Sequence, residues 1–320
     1  MIQSRSKTKS NNNFFSSGWI CINKPINLSS FDVVRKLKKI FSINKVGHAG
    51  TLDPLATGIL PIAFGNATKT IPYLVTSKKK YRFTILWGVK TLSHDLEAEI
   101  IEENNFVPTE NNIKKILSNF EGEIFQRPPK YSAVKVDGKR AYNLARKGID
   151  FAINEKKVKL YDIILLDHKN NKTEFSTTVG KGFYIRSLVR DICEKLGVLG
   201  VISSLERYEL GPFSLENTFS LETIEKLVHS APAGMVGGDL LIPLSEVLDD
   251  IPALLISDKE VKRIQQGQSF FNDYLHKNSK LGSEVLLLKD KRPIGLATVG
   301  ENSFKPKKVF SEEIFNLRSI

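Results

Sequence analysis

The sequence predicts an α+β protein with a main domain followed by a smaller one. Three observations predict it. The chain of 320 residues has room for both units. Val33, Val34, Leu37, Ile40 and Phe41 fall on one face of a helix. Residues 158–166 and 175–179 alternate apolar and polar side chains with the period of a strand. A hydrophobic content of 41% beside 26% charged residues belongs to a globular chain and excludes a wholly disordered one.

In chain order, residues 1–17 are polar and basic and are expected to form a disordered tail. They lack the apolar core of a signal peptide. Residues 18–25 read as a short buried strand closed by Lys24-Pro25. Ser29 and Asp32 then supply an S-x-x-D helix start. The far face of that helix carries Arg35, Lys36, Lys38 and Lys39, either as a solvated face or as an RNA contact. A short apolar run at 59–64 ends in a turn at 65–69, and the basic turn 78–80 leads into a strand through Tyr81. Ile113, Ile116, Leu117 and Phe120 mark a further helix, ended by Gly122. Residues 126–142 mix cations with Tyr131 and Tyr142, the chemistry of a surface that grips phosphates and stacks on loop bases. A helix around Ile224, Leu227 and Val228 precedes the linker 231–234, which divides a main domain at 18–235 from a second at 236–320. In the latter, 285–288 and 294–299 look like short strands around turns.

A net charge of +12 and a pI of about 9.5 favour a polyanionic partner, nucleic acid first. No apolar run is long enough to span a bilayer, so no membrane partner is expected. Cys21 and Cys193 have neither metal-type nor disulfide-framework spacing, and a cytoplasmic location fits. No Gly-Lys-Ser/Thr phosphate loop occurs, which excludes a P-loop triphosphatase, and none of the five histidines forms an HExxH pair. No metal and no cofactor are expected.

The stretch GHAGTLDPLATG, residues 47–58, holds three glycines, one proline and one carboxylate between regular-looking segments. Glycine permits close backbone approach, and Pro54 biases Asp53 towards an extended conformation. Composition alone leaves two readings open, a structural turn or a rigid loop presenting Asp53 to a cleft.

This stretch resembles the catalytic motif of the TruB-type tRNA pseudouridine-55 synthases, in which the aspartate is essential. Residues 78–88, 126–142 and 180–192 resemble further signatures of that family, so the similarity is strong from about 18 to 213. The resemblance implies a mixed, largely antiparallel central sheet with flanking helices, and a small C-terminal PUA-like β-barrel that touches the acceptor side of tRNA. It implies Asp53 as nucleophile or base, Tyr81 against the target base, Tyr184 in the pocket, and Arg186 paired with Asp53. Arg186 beside a carboxylate would favour its ionised form. Lys24 falls in a segment beside the family's active site, with Asn27 where a glycine is usual, and Asp95 is a candidate supporting partner. His48 is a candidate plug for the space a flipped base leaves, or a histidine capping a turn. Leu205 begins a Leu-Glu-Arg run where Leu-Arg-Arg is usual, and is a candidate substrate contact. Residues 126–152 would form a thumb on the T loop, with Lys130, Lys135, Lys139 and Arg140 as RNA-contact candidates. The implied activity is isomerisation of uridine 55 in the T arm of tRNA by a monomer with no obligate protein partner. Two alternatives stand beside it: a dyskerin-like, guide-dependent enzyme acting on ribosomal RNA, and a tRNA-binding folding chaperone.

Overall fold

The computed structural model describes residues 17–230, 240–272 and 280–310. Residues 1–16 of the expected tail and the linker at 231–234 lie outside them, whereas Ser17 already belongs to the first strand. That strand, β1 (Ser17–Lys24), buries every residue but Asn23. Helix α1 (Ser30–Phe41) starts at a full capping box: Asp32 N donates to Ser29 Oγ at 3.1 Å, and Ser29 N donates back to the Asp32 carboxylate at 3.2 Å. Its stripe of Val33, Val34, Leu37 and Phe41 is buried, and Ser42 ends the helix in the left-handed conformation.

β2 (Val46–His48) and β3 (Thr57–Gly65) follow, separated by the glycine-rich loop. Then come α2 (Ile71–Thr76), β4 (Lys79–Trp87), the hairpin of β5 (Val89–Thr91) and β6 (Ile100–Glu103), α3 (Glu110–Leu117) and β7 (Gly122–Gln126). The expected thumb is a two-rung ladder of β8 (Lys135–Val136) and β9 (Lys139–Arg140) running into α4 (Ala141–Arg146). The long strands β10 (Lys156–Lys169) and β11 (Lys172–Val179) lead to α5 (Ile185–Leu196), β12 (Gly200–Leu210), β13 (Phe213–Ser214) and α6 (Leu221–Ser230).

The main sheet runs β1-β3-β12-β4-β11-β10-β7, with β2 on β3 and β13 on β12. Among these pairings only β12 with β3 is parallel. β12 lies inside the sheet, yet its sequence does not alternate cleanly. Register shifts at Ile202/Ser204 and Arg207/Glu209 break the two-residue period, and this conceals the strand in the sequence.

The C-terminal part contains α7 (Leu244–Val247), β14 (Ala253–Leu255), α8 (Asp258–Gln265), β15 (Glu284–Lys289), β16 (Arg292–Val299) and β17 (Phe304–Val309). Its four strands form an open sheet in sequence order, with β14 at one edge and β17 at the other, where Phe304 makes an antiparallel bridge with Phe270. Among the described residues there is therefore no closed barrel, in contrast to the expectation. The sheet is joined to the main body through a common core. Leu286, Leu296 and Phe310 cluster with Trp19, Leu74 and Phe213, and Lys69 Nζ donates to the Val309 carbonyl at 2.6 Å.

Gly58 marks the crossing of β3 and β12. Its φ is +92°, and a Cβ there would lie 2.2 Å from the Arg207 carbonyl oxygen, a backbone atom that cannot swing aside. Gly122 has a φ of +93° with nothing within 4 Å of its Cβ position. Gly58→Ala is expected to destabilise the protein by about 3 kcal/mol or more. Gly122→Ala, with strain but no clash, is expected to cost about 1 kcal/mol. Urea unfolding of the two variants checks the difference.

Candidate active site

The segment between β2 and β3 has no regular structure, and neighbouring elements hold its backbone. Ala49 N donates to the Pro61 carbonyl. Gly50 O accepts Arg207 Nη2 at 2.9 Å. Ser30 Oγ bonds both sides of Leu52, accepting its N–H at 2.8 Å and donating to its carbonyl at 3.0 Å. Pro54 O accepts from Lys24 Nζ at 3.1 Å and from Asn27 N at 2.9 Å. Asn27 itself is left-handed at φ 67°. Leu55 N donates to Glu97 Oε1 at 2.6 Å. Buried polar groups need such partners, and a loop supplied with them is rigid.

Two of the partners are fully buried cations satisfied by carbonyls. Lys24 Nζ donates to Pro25, Leu28 and Pro54, and Arg207 donates to Ile59 and Gly50. Lys24, the candidate substrate contact, thus bonds the backbone around the Asp53 loop. Burial pushes its ammonium down to about 8, against the opposing pull of Glu97 and Asp53.

Asp53 stands at the centre of the loop. Arg186 Nη2 lies 2.9 Å from its Oδ1 and also donates to the Tyr131 carbonyl at 2.9 Å. Arg186 Nη1 faces Asp95 Oδ2 and the Ser93 carbonyl, each at 3.4 Å. Arg186 and Asp95 are nearly inaccessible, at 5% and 2% side-chain exposure, whereas Asp53 keeps 34%. The guanidinium therefore sits between a buried carboxylate and one that opens onto the cleft. It occupies the first turn of α5, whose start is pinned by Gln126: Tyr184 N donates to Gln126 Oε1 at 2.8 Å, and Gln126 Nε2 returns a bond to Tyr184 O at 3.1 Å. Burial raises the Asp53 carboxyl above the ordinary aspartate range. Arg186 draws it back down, and the charge of Asp95 pushes it up again.

The cleft measures about 830 Å³. Asp53, Arg186, His48, Arg140, Tyr131 and Glu97 are among its lining residues. Burial, with help from the Arg207 charge, holds the His48 imidazole below its ordinary pKa, so it is neutral at pH 7. Arg140 Nη1 donates to the Ala133 carbonyl at 2.5 Å.

The other expected residues lie apart from the lining. Tyr81 is 8% exposed within the core cluster of the main sheet. Tyr184 is partly buried, near enough to Asp53 and Arg186 to feel both charges; burial raises its phenol. Leu205, the candidate substrate contact, pairs with Phe83 across β12 and β4 and is 8% exposed within the same core cluster. Lys130 is paired with Asp150 at 2.7 Å within the thumb. Lys135 and Lys139 are exposed on the β8–β9 ladder, outside the cleft lining.

Ser30, Glu97 and Arg207 brace the loop without having been singled out for it. Glu97 is an exposed residue of the turn before β6, and Arg207 lies on the concealed strand β12. Ser30 had a signal, since it adjoins the helix cap. Among the described residues, no three His, Cys, Asp or Glu side chains are grouped to hold a metal ion, and no helix is long and apolar enough to cross a membrane.

Comparison with known proteins gives a consistent picture. Residues 38–185 match the model of the TruB family pseudouridylate synthase N-terminal domain. The chain is 43% identical over 258 residues to a tRNA pseudouridine synthase B of Caulobacter sp. (strain K31), covering 79% of this chain and 81% of that one. It is 41% identical to the protein of that name from Caulobacter vibrioides, over 90% of this chain and 89% of the relative. Among solved structures, a chain of a Cbf5-Nop10-Gar1 complex superposes with a TM-score of 0.71 at 24% identity, over 92% of this chain and 85% of that one, a likeness of fold. With relatives this similar over most of its length, the chain belongs to the TruB family of pseudouridylate synthases.

Proposed function

We propose that this chain converts uridine 55 in the T loop of tRNA to pseudouridine, as a monomer without a guide RNA. The observation that carries the reading is the Asp53–Arg186 pair, a fixed carboxylate open to a cleft of nucleotide size. Relatives at 38–43% identity bear the name tRNA pseudouridine synthase B, which favours tRNA over a guide-selected ribosomal substrate. The net charge of +12 supports a polyanionic partner.

In this reading the target uridine leaves its stack, at a cost of roughly a few kcal/mol. The neutral ring of His48 fills the space it vacates. Ionised Asp53 then acts at the sugar or the base, as nucleophile or as base. The N1–C1′ bond breaks, the base turns, the C5–C1′ bond forms, and the C5 proton is lost while N1 gains one. Atoms balance without an external donor. Arg186 keeps the carboxylate aimed, Tyr81 stacks on the target base or takes part in proton transfer, and Tyr184 lines the pocket.

Purified protein given a tRNA transcript tritiated at uridine C5 is expected to release tritium to water, with the product mapped to position 55. Modification elsewhere would move the substrate, and tight binding without release would favour a binding module. The pH profile supplies a second check. Asp53 works ionised and its pKa is raised, so kcat/KM is expected to fall with decreasing pH at values above the ordinary 3.8. Asp95→Asn removes a like charge and moves that acid limb to lower pH. It also lowers the plateau, because Arg186 loses one of its two carboxylates. An unmoved limb would contradict this electrostatic account.

A further inference from the structure

We propose that Glu97 is a positioning residue for the reaction, holding the Asp53 loop through the Leu55 amide while its charge opposes RNA binding. The inference rests on the pseudouridine reading above. Glu97 and Asp95 leave the same short turn and reach the same loop by different routes. Asp95 acts through Arg186 on the Asp53 side chain. Glu97 acts directly, accepting the Leu55 N–H at 2.6 Å, two residues beyond Asp53.

The turn that presents them is firmly built. Thr91 Oγ1 donates to the Asp95 carbonyl at 2.7 Å. Ser93 Oγ donates to Asp95 Oδ1 at 2.5 Å, and Glu97 N donates to the same oxygen at 3.0 Å. His94 reverses the chain at φ 62°, and its carbonyl is tied to Ile202 N on β12. Glu97 therefore extends from a fixed point, and its short, charge-assisted bond constrains the loop rather than following it.

Its position carries a penalty for binding. Glu97 lines the cleft and forms no salt bridge among the described residues. A carboxylate with no salt-bridge partner, in a cleft that takes a polyanion, repels the substrate. The two effects separate: removing the charge tightens binding, and removing the acceptor slows chemistry through misplacement of the carboxylate.

The test compares Glu97→Ala and Glu97→Gln in the full chain, using single-turnover tritium release and tRNA affinity. Glu97→Ala is expected to slow release by about tenfold or more while binding tRNA roughly threefold tighter. Glu97→Gln keeps an acceptor oxygen, and is expected to restore the rate to within about threefold of wild type while binding as tightly as the alanine variant. A wild-type rate in Glu97→Ala, or a glutamine variant as slow as alanine, would overturn the proposal. Hydrogen exchange at the Leu55 amide in the free protein is read separately. It is expected to quicken in Glu97→Ala, and unchanged exchange would likewise overturn the role. If wild-type protein releases no tritium, the pseudouridine reading fails, while the hold of Glu97 on the loop is still measured by exchange.

Discussion

Arg186 is a cation with almost no access to water, and the rest of the site depends on how it is accommodated. One amino group serves Asp53 and the Tyr131 carbonyl, and the other faces Asp95 and the Ser93 carbonyl. Burying an unpaired guanidinium would cost several kcal/mol. The planar fork instead reaches acceptors in two directions, which a lysine ammonium cannot do with the same geometry. Because Asp95 takes part of the charge, Asp53 is oriented without being fully neutralised. A carboxylate that must react needs this balance between fixed position and residual basicity.

Orientation of a side chain is useful only if its backbone is equally fixed. Here the loop meets two more buried cations, Lys24 and Arg207, whose donors go to carbonyls rather than carboxylates. Each cation therefore fixes backbone, and Lys24 also contributes positive potential at Asp53. Gly50 and Gly58 are the matching constraint on the chain itself: a Cβ at either would run into Arg207. These two glycines thus record how closely β12 approaches the loop, and the parallel contact of β12 with β3 adjoins the loop that carries Asp53.

Local features were readable in the sequence where one physical rule dominated. The capping box and buried stripe of α1 follow from spacing alone, and the long strands β10 and β11 follow from alternation. The loop at 47–58 stands out by its composition, which leaves its role open, and the role expected of Asp53 comes from the resemblance. The Asp53–Arg186 contact spans 133 residues, so nothing local to either residue predicts it. The surroundings of Lys24 and Leu205 are hidden for a related reason: the three carbonyls around the lysine and the internal position of the leucine's strand are set by distant parts of the chain. Glu97 had no local signal at all: it is exposed, and its bond to Leu55 N joins residues 42 apart in the chain.

The central claim is that Asp53 supplies chemistry from a site whose RNA-binding surface is built independently of it. Asp53→Asn tests this most directly, because the amide preserves size and can still accept a bond from Arg186. Single-turnover tritium release and tRNA affinity would be measured on the same preparation. The account predicts no detectable release with a dissociation constant within about threefold of wild type, since the uncharged amide alters repulsion by only one charge. Persistent release would remove Asp53 from the reaction. Loss of binding together with activity would make it a structural or binding residue instead.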